Sequence, residues 1–90
     1  MGGEKVRIKI RYFAYLADLV ERKEEEMYLE GEWTIRKILG KIVEEKPILR
    51  RIELDSEGPI IILLNGKPAN MNLKVSDGDI ITLIPPASGG

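Results

Sequence analysis

The sequence of 90 residues contains neither cysteine nor histidine. Without cysteine the chain has no disulfide, no thiol nucleophile and no thiolate metal site. Without histidine it lacks the usual general base of enzymes and the commonest metal ligand. The remaining acidic, basic and hydroxyl side chains form no recognisable catalytic arrangement. We therefore predict no metal site, and a substrate or partner of enzymes rather than a self-sufficient enzyme.

The sequence also lacks an excess of one charge and any long apolar run. Its formal net charge is -1, so no basic field is available to hold nucleic acid, and we predict no nucleic-acid partner. No stretch approaches the roughly 20 apolar residues that cross a membrane, and no signal peptide is apparent. We expect a cytoplasmic protein that does not bind a membrane.

Hydrophobic residues make up 43% of the sequence, enough for the single core that a chain of this length can build. Strict alternation over residues 5–12 predicts a half-buried strand, with Lys5, Arg7, Lys9 and Arg11 on a side that faces water. Helical spacing predicts a short helix over residues 13–21. A second strand follows over residues 24–29, and its run Glu24-Glu25-Glu26 is expected to be a solvated edge.

The strongest helix signal follows Thr34, a good N-cap residue. Apolar residues then recur with the spacing of an amphipathic helix, at Ile35, Ile38, Leu39, Ile42 and Val43. Pro47 should end this helix. We expect it to cover the apolar side of the sheet, and we expect irregular structure over residues 48–58.

Two apolar runs, residues 60–64 and 80–84, predict further strands. Asn65-Gly66 matches a tight type I′ turn, Pro68 suggests a short edge segment, and residues 76–79 form a turn. The order of elements predicts an α+β fold of the β-grasp, or ubiquitin-like, type: a mixed sheet with one main helix across one face. The first and last strands should lie side by side at its centre. We assign residues 1–84 to this domain and residues 85–90 to an extended tail.

The tail reads Pro85-Pro86-Ala87-Ser88-Gly89-Gly90. We expect Gly90 to carry a free carboxylate, which is ionised near neutral pH because such a group titrates at roughly 3.3–3.7. This carboxylate can attack an activated phosphate, and the acyl group can then be passed on. Glycines admit backbone angles closed to other residues, and six residues reach at most roughly 20 Å. The tail is thus suited to carry the Gly90 carboxylate into the active site of another protein. A terminus without any function could have the same sequence.

These features resemble the small subunit of molybdopterin synthase, a β-grasp sulfur carrier. The resemblance covers residues 6–90, including Asp77-Gly78-Asp79 and the apolar strand that follows it, and it is most specific in the double-proline, diglycine ending of residues 85–90. The opening Arg11-Tyr12-Phe13-Ala14 and the Asn65-Gly66 turn match as well. One departure is Glu21-Arg22-Lys23, which replaces a glycine-containing turn.

The resemblance implies a chemistry for Gly90. An E1-like adenylating enzyme uses ATP to activate the carboxylate, and a sulfur donor protein then supplies sulfur to give a thiocarboxylate. The tail inserts into the large catalytic subunit of molybdopterin synthase through Ala87, Ser88 and Gly89. Pro85 and Pro86 correspond to the docking segment. The chain itself binds no cofactor and acts as a non-catalytic, sulfur-donating subunit.

Two other functions remain open from the sequence. A ubiquitin-like modifier would use the same adenylate but would end joined through Gly90 to a lysine of a target protein. A carrier of the same fold could also serve thiamine synthesis or tRNA thiolation. A third possibility, a β-grasp binding module with an inert tail, needs no chemistry at all.

Overall fold

A computed structural model describes residues 5–52 and 59–86 of the chain. Its elements, in chain order, are β1 (Lys5–Tyr12), α1 (Tyr15–Val20), β2 (Glu24–Glu30), α2 (Ile35–Glu45), a 3-10 helix (Pro47–Ile52), β3 (Ile61–Leu64), β4 (Lys67–Pro68) and β5 (Ile80–Ile84). None of the helices in the described ranges is long and apolar enough to span a membrane.

The strands form one mixed, five-stranded sheet in the order β2-β1-β5-β3-β4. β1 and β5 run parallel, and the other neighbours are antiparallel. Asn65 and Gly66 both have positive φ, 52° and 84°, as a type I′ turn requires, and Leu64 pairs with Lys67 across this turn. The β-grasp prediction is confirmed, including the first and last strands side by side.

Helix α2 covers one face of the sheet, as its pattern predicts. The Thr34 hydroxyl accepts a hydrogen bond from the Lys37 backbone N–H at 3.3 Å, which caps the first turn. The apolar residues of α2 are buried against the inward-facing residues of β1, namely Val6, Ile8, Ile10 and Tyr12. Burial of each such aliphatic side chain stabilises the fold by about 1.5–3 kcal/mol.

The structure corrects two local predictions. Helix α1 begins at Tyr15, not at residue 13, because Ala14 has a φ of 53° and a ψ of -136° that no helix accommodates. The segment after α2 is not irregular throughout, since Pro47–Ile52 forms a 3-10 helix that buries Leu49 in the core. Proline suits the first position of such a helix because its missing N–H is not needed there.

The expectation that the run of three glutamates is solvated is wrong for its middle residue. Strand alternation directs Glu25 to the same side as Met27 and Leu29, and its side chain is only 11% exposed. The Lys46 ammonium lies 3.0 Å from one carboxylate oxygen, and the Tyr12 hydroxyl donates a hydrogen bond to the same oxygen. These partners tie β1, β2 and the end of α2 together.

Burial raises the pKa of the Tyr12 hydroxyl well above its ordinary value, and the hydrogen bond and negative charge of Glu25 raise it further. The proton is therefore bound more tightly in the folded chain than in the unfolded chain, where the hydroxyl titrates near pH 10. This contribution to stability is complete below about pH 10 and is lost as the pH rises above it.

Tyr12→Phe should lower the free energy of unfolding at pH 7 by about 2 kcal/mol, because it removes a hydrogen bond to a carboxylate. It should also flatten the decline in stability above about pH 10. Urea unfolding at a series of pH values measures both effects. Tyr28→Phe, at an exposed position, is the matched control and should keep the wild-type profile. An alkaline decline as steep in Tyr12→Phe as in the wild type would contradict this role.

Candidate functional site

The tail leaves the sheet where its two central strands end together. Because β1 and β5 are parallel, their C-terminal ends meet at one edge, and the Phe13 N–H donates to the Leu83 carbonyl at 3.1 Å beyond the last paired residues. Pro85 is buried and Pro86 is exposed. The predicted carrier residues Ala87, Ser88, Gly89 and Gly90 lie outside the described residues, so the roles assigned to them stay predictions.

The opposite end of β5 is fixed by the predicted turn at residues 76–79. One carboxylate oxygen of Asp79 accepts the Ser76 N–H at 2.7 Å, and the other accepts the Asn65 side-chain amide at 2.9 Å. Asn65 in turn accepts the Ile80 N–H at 2.9 Å. These hydrogen bonds fix the residue at which β5 begins. They therefore also fix the position of its other end, where the tail leaves the sheet.

The sheet face opposite α2 is divided into a charged half and an apolar half. The register places alternate residues of β5, β3 and β4 on the same side as Lys9 and Arg11. We call the apolar residues among them the apolar patch: Ile61, Leu63, Pro68, Ile80 and Ile84, which adjoin the buried Thr82. Ile61 is 50% exposed, and it pairs directly with Ile84, the last strand residue before the tail. The apolar patch therefore adjoins the tail exit.

The sequence contained a signal for this patch. β1 alternates charged and apolar residues, which is typical of a strand with one wet face. β3 and β5 are apolar at nearly every position, which is typical of strands covered on both faces. Helix α2 and the core cover only one face in this chain, so the second apolar face is available to a partner. The apolar composition of β3 and β5 was therefore a sequence signal for a binding surface, although we predicted no site at these residues from the sequence.

Phe13 and Arg11 border the apolar patch on the side of β1. Phe13 is 42% exposed, and the Arg11 guanidinium carbon lies 5.5 Å from the centroid of its ring. An exposed aromatic ring beside an aliphatic surface, with a cation at its rim, has the composition of a protein-binding surface. On the charged half, Lys9 forms an ion pair with Glu24 at 3.4 Å, so β2 partly neutralises the basic strip of β1.

The chain between Phe13 and α1 is strained. Ala14 takes a positive φ that glycine adopts far more readily, and Glu21 at the end of α1 has a φ of 60°. The turn at Glu21-Arg22-Lys23 thus adopts a left-handed conformation without glycine. Phe13 and Tyr15, which flank Ala14, are both exposed.

The fold and the tail exit together define a ubiquitin-like β-grasp protein whose last strand leads directly into a slender tail. The ThiS family profile matches residues 10–90. The chain belongs to the ThiS family, and it is a sulfur carrier or ubiquitin-like modifier of that β-grasp type. The resemblance found in the sequence is thus confirmed at the level of the family. No curated protein matches the chain.

Solved structures support the same assignment. SAMP1 from Haloferax volcanii has 27% identity and a TM-score of 0.82, over 93% of this chain and 99% of that one. The small archaeal modifier protein 1 of Methanosarcina acetivorans has 27% identity and a TM-score of 0.76, over 98% and 100%. A complex of subunits 1 and 2 of the molybdopterin-converting factor from Helicobacter pylori contains a chain with 28% identity and a TM-score of 0.60, over 94% and 100%.

Ala14→Gly should raise the free energy of unfolding by about 1 kcal/mol, because left-handed backbone costs other residues roughly that much and glycine only part of it. Ala17→Gly, inside α1, is the matched control and should lower it by about 1 kcal/mol. Chemical unfolding of both variants measures the difference. A loss of stability in Ala14→Gly equal to that in Ala17→Gly would show that position 14 is not strained.

Proposed function

We propose that this chain is a sulfur carrier for the assembly of a molybdenum- or tungsten-pterin cofactor. The Gly90 carboxylate attacks the α-phosphate of ATP on an E1-like adenylating enzyme, which forms the acyl adenylate and releases pyrophosphate. A donor protein then supplies sulfur at the oxidation level of sulfide, which forms a bond to the acyl carbon, displaces AMP and leaves a thiocarboxylate. The large subunit of a molybdopterin synthase accepts the loaded tail and transfers its sulfur to the pterin precursor.

The observation that carries this proposal is the position of the apolar patch beside the tail exit. A carrier must dock noncovalently on one catalytic partner while its tail enters that partner's active site. The apolar patch adjoins Ile84, and Pro86 follows it at the surface, so a protein that covers the patch would meet the tail at once. The similar Helicobacter pylori chain is found with a second subunit of its converting factor, which supports a large-subunit partner here.

The composition of the tail fits the same role. Pro85 and Pro86 each fix φ near about −65°, so the base of the tail loses little freedom when it is presented to a single pocket. Beyond them Ala87, Ser88 and Gly89 are small enough for a narrow channel. We infer that the prolines direct the tail and that the small residues allow Gly90 to reach the reacting centre.

A modifier function is the second candidate, because two of the similar structures are small archaeal modifier proteins. It would use the same adenylate and would end in an isopeptide bond to a lysine. The double proline and the apolar patch favour the carrier, since both suit a fixed partner better than a range of target lysines. Activation of Gly90 is common to both functions, and the fate of the adenylate separates them.

Gly89→Val should abolish formation of the thiocarboxylate, because a branched side chain obstructs a channel that fits glycine and restricts the backbone. Position 89 lies beyond the last strand, so the unfolding midpoint should not change. Intact-mass measurement after reaction with ATP, the adenylating enzyme and the sulfur donor reports the exchange of oxygen for sulfur. Pyrophosphate exchange that persists after deletion of Gly89 and Gly90 would refute activation at this terminus.

Ile61→Asp should weaken binding to a molybdopterin-synthase large subunit by about 30-fold or more, because it places a charge in an apolar interface next to the tail exit. Leu73→Asp is the matched control, since Leu73 is an exposed leucine outside the apolar patch, and it should leave the affinity within about twofold. Titration calorimetry measures both affinities. Equal losses in the two variants would argue against docking through the patch.

A further inference from the structure

Within residues 5–52 and 59–86, strand β2 forms one edge of the sheet, and no strand pairs with the outer side of its backbone. The Tyr12 N–H bonds to the Lys23 carbonyl at 2.8 Å, which continues the register between β1 and β2 by one residue. Hydrogen-bonded pairs alternate along an antiparallel ladder, so residues 25, 27 and 29 bond to β1. The N–H and carbonyl groups that point away from the sheet belong to Glu24, Glu26, Tyr28 and Glu30.

The side chains of these same four residues lie on the open face of the sheet, because strand alternation places them opposite the basic residues of β1. The open face thus carries a basic stripe on β1 and an acidic stripe on β2. An added strand would place its side chains about 5 Å from the acidic stripe and twice as far from the basic one. Basic residues on the added strand would continue the alternation of charge.

The same charges oppose pairing between two copies of β2. In the antiparallel register that uses the whole strand, Glu24 faces Glu30 of the other copy. If the register shifts by two residues, Glu26 lies opposite Glu26 of the other copy for one direction of the shift and opposite Glu30 of the other copy for the other direction. Like charges directly opposite each other destabilise a strand pair. The edge is therefore protected against self-association but not against a basic segment.

Tyr28 marks where such a segment would be held. It is 72% exposed, more than any other large hydrophobic residue in the described ranges, and its hydroxyl donates to a Glu26 carboxylate oxygen at 3.1 Å. The cation–π pairs recorded within residues 5–52 and 59–86 involve Phe13 and Trp33 instead. A groove of about 340 Å³ is lined by Tyr28 and its neighbours on β2, by the first residues of β1 and by Asp77.

We propose that the edge of β2 binds an extended basic segment of a partner protein, which adds a strand to the sheet. Outward backbone groups of β2 supply the hydrogen bonds. Glu26 and the ring of Tyr28 receive an arginine or lysine, because a carboxylate and an aromatic face both attract a cation. The edge is separated from β5 by β1, so this partner leaves the tail exit open and can bind together with a partner at the apolar patch.

The test uses the full chain and a seven-residue peptide in which lysine and arginine alternate with valine. The amides of residues 24, 26, 28 and 30 should shift in NMR spectra and gain protection from hydrogen exchange on titration. A peptide with glutamate at the basic positions tests the charge, and one with N-methylated alternate amides tests the backbone pairing. Each should bind at least about tenfold more weakly. ATP and the large subunit are absent, so the outcome is independent of sulfur transfer.

Two charge-reversal variants locate the site. Glu26→Lys should weaken the basic peptide by about tenfold, since it replaces an attractive cross-strand pair with a repulsive one. Glu44→Lys, an equal change at an exposed position on α2, should change the affinity by less than about twofold, as expected for a charge remote from the peptide. Protection confined to the β2 amides, with this difference between variants, supports the proposal. Equal binding of basic and acidic peptides, equal effects of the two variants, or dimerisation of the chain through β2 would overturn it.

Discussion

The parallel pairing of β1 with β5 is the constraint on which the rest of the structure depends. The two strands come from opposite ends of the chain, yet Lys9 to Tyr12 pair with Ile80 to Leu83 in register. Parallel pairing brings both C-terminal ends to one edge of the sheet. It therefore places Phe13, the strained Ala14 and the base of the tail together. A chain in which these strands were antiparallel would send the tail out at the opposite edge, away from these residues.

The two faces of this sheet differ in burial and charge, and the difference follows from strand composition. The inner face packs on α2 and supplies most of the stability of the domain, since its residues belong to the hydrophobic core or pack against it. The outer face contributes little to the core. Its apolar half borders the tail, and its charged half is balanced by cross-strand pairs such as Lys9 with Glu24. One small domain can thus hold a tail, a docking surface and an edge strand without any of them competing for the core.

Much of this fold follows from local patterns in the sequence. Alternation predicts β1, the spacing of apolar residues after Thr34 predicts α2, and Asn65-Gly66 predicts the β3–β4 turn, because each pattern has one dominant local cause. The inward direction of Glu25 follows from alternation with Met27 and Leu29, but its partner Lys46 could not be predicted, since Lys46 is twenty-one residues away and becomes adjacent only after α2 packs. Likewise, the positive φ of Ala14 could not be predicted, because alanine has no preference for that conformation.

We propose that Gly90 carries sulfur to a fixed partner rather than joining the chain to many targets. Intact-mass analysis of the protein isolated from its native cells distinguishes these two fates of Gly90. We expect a population in which one oxygen of the C-terminal carboxylate is replaced by sulfur, and no Gly90 isopeptides among digested cell proteins. A ladder of Gly90-linked conjugates, with the free protein carrying only an unmodified carboxylate, would contradict the account and would identify the chain as a modifier.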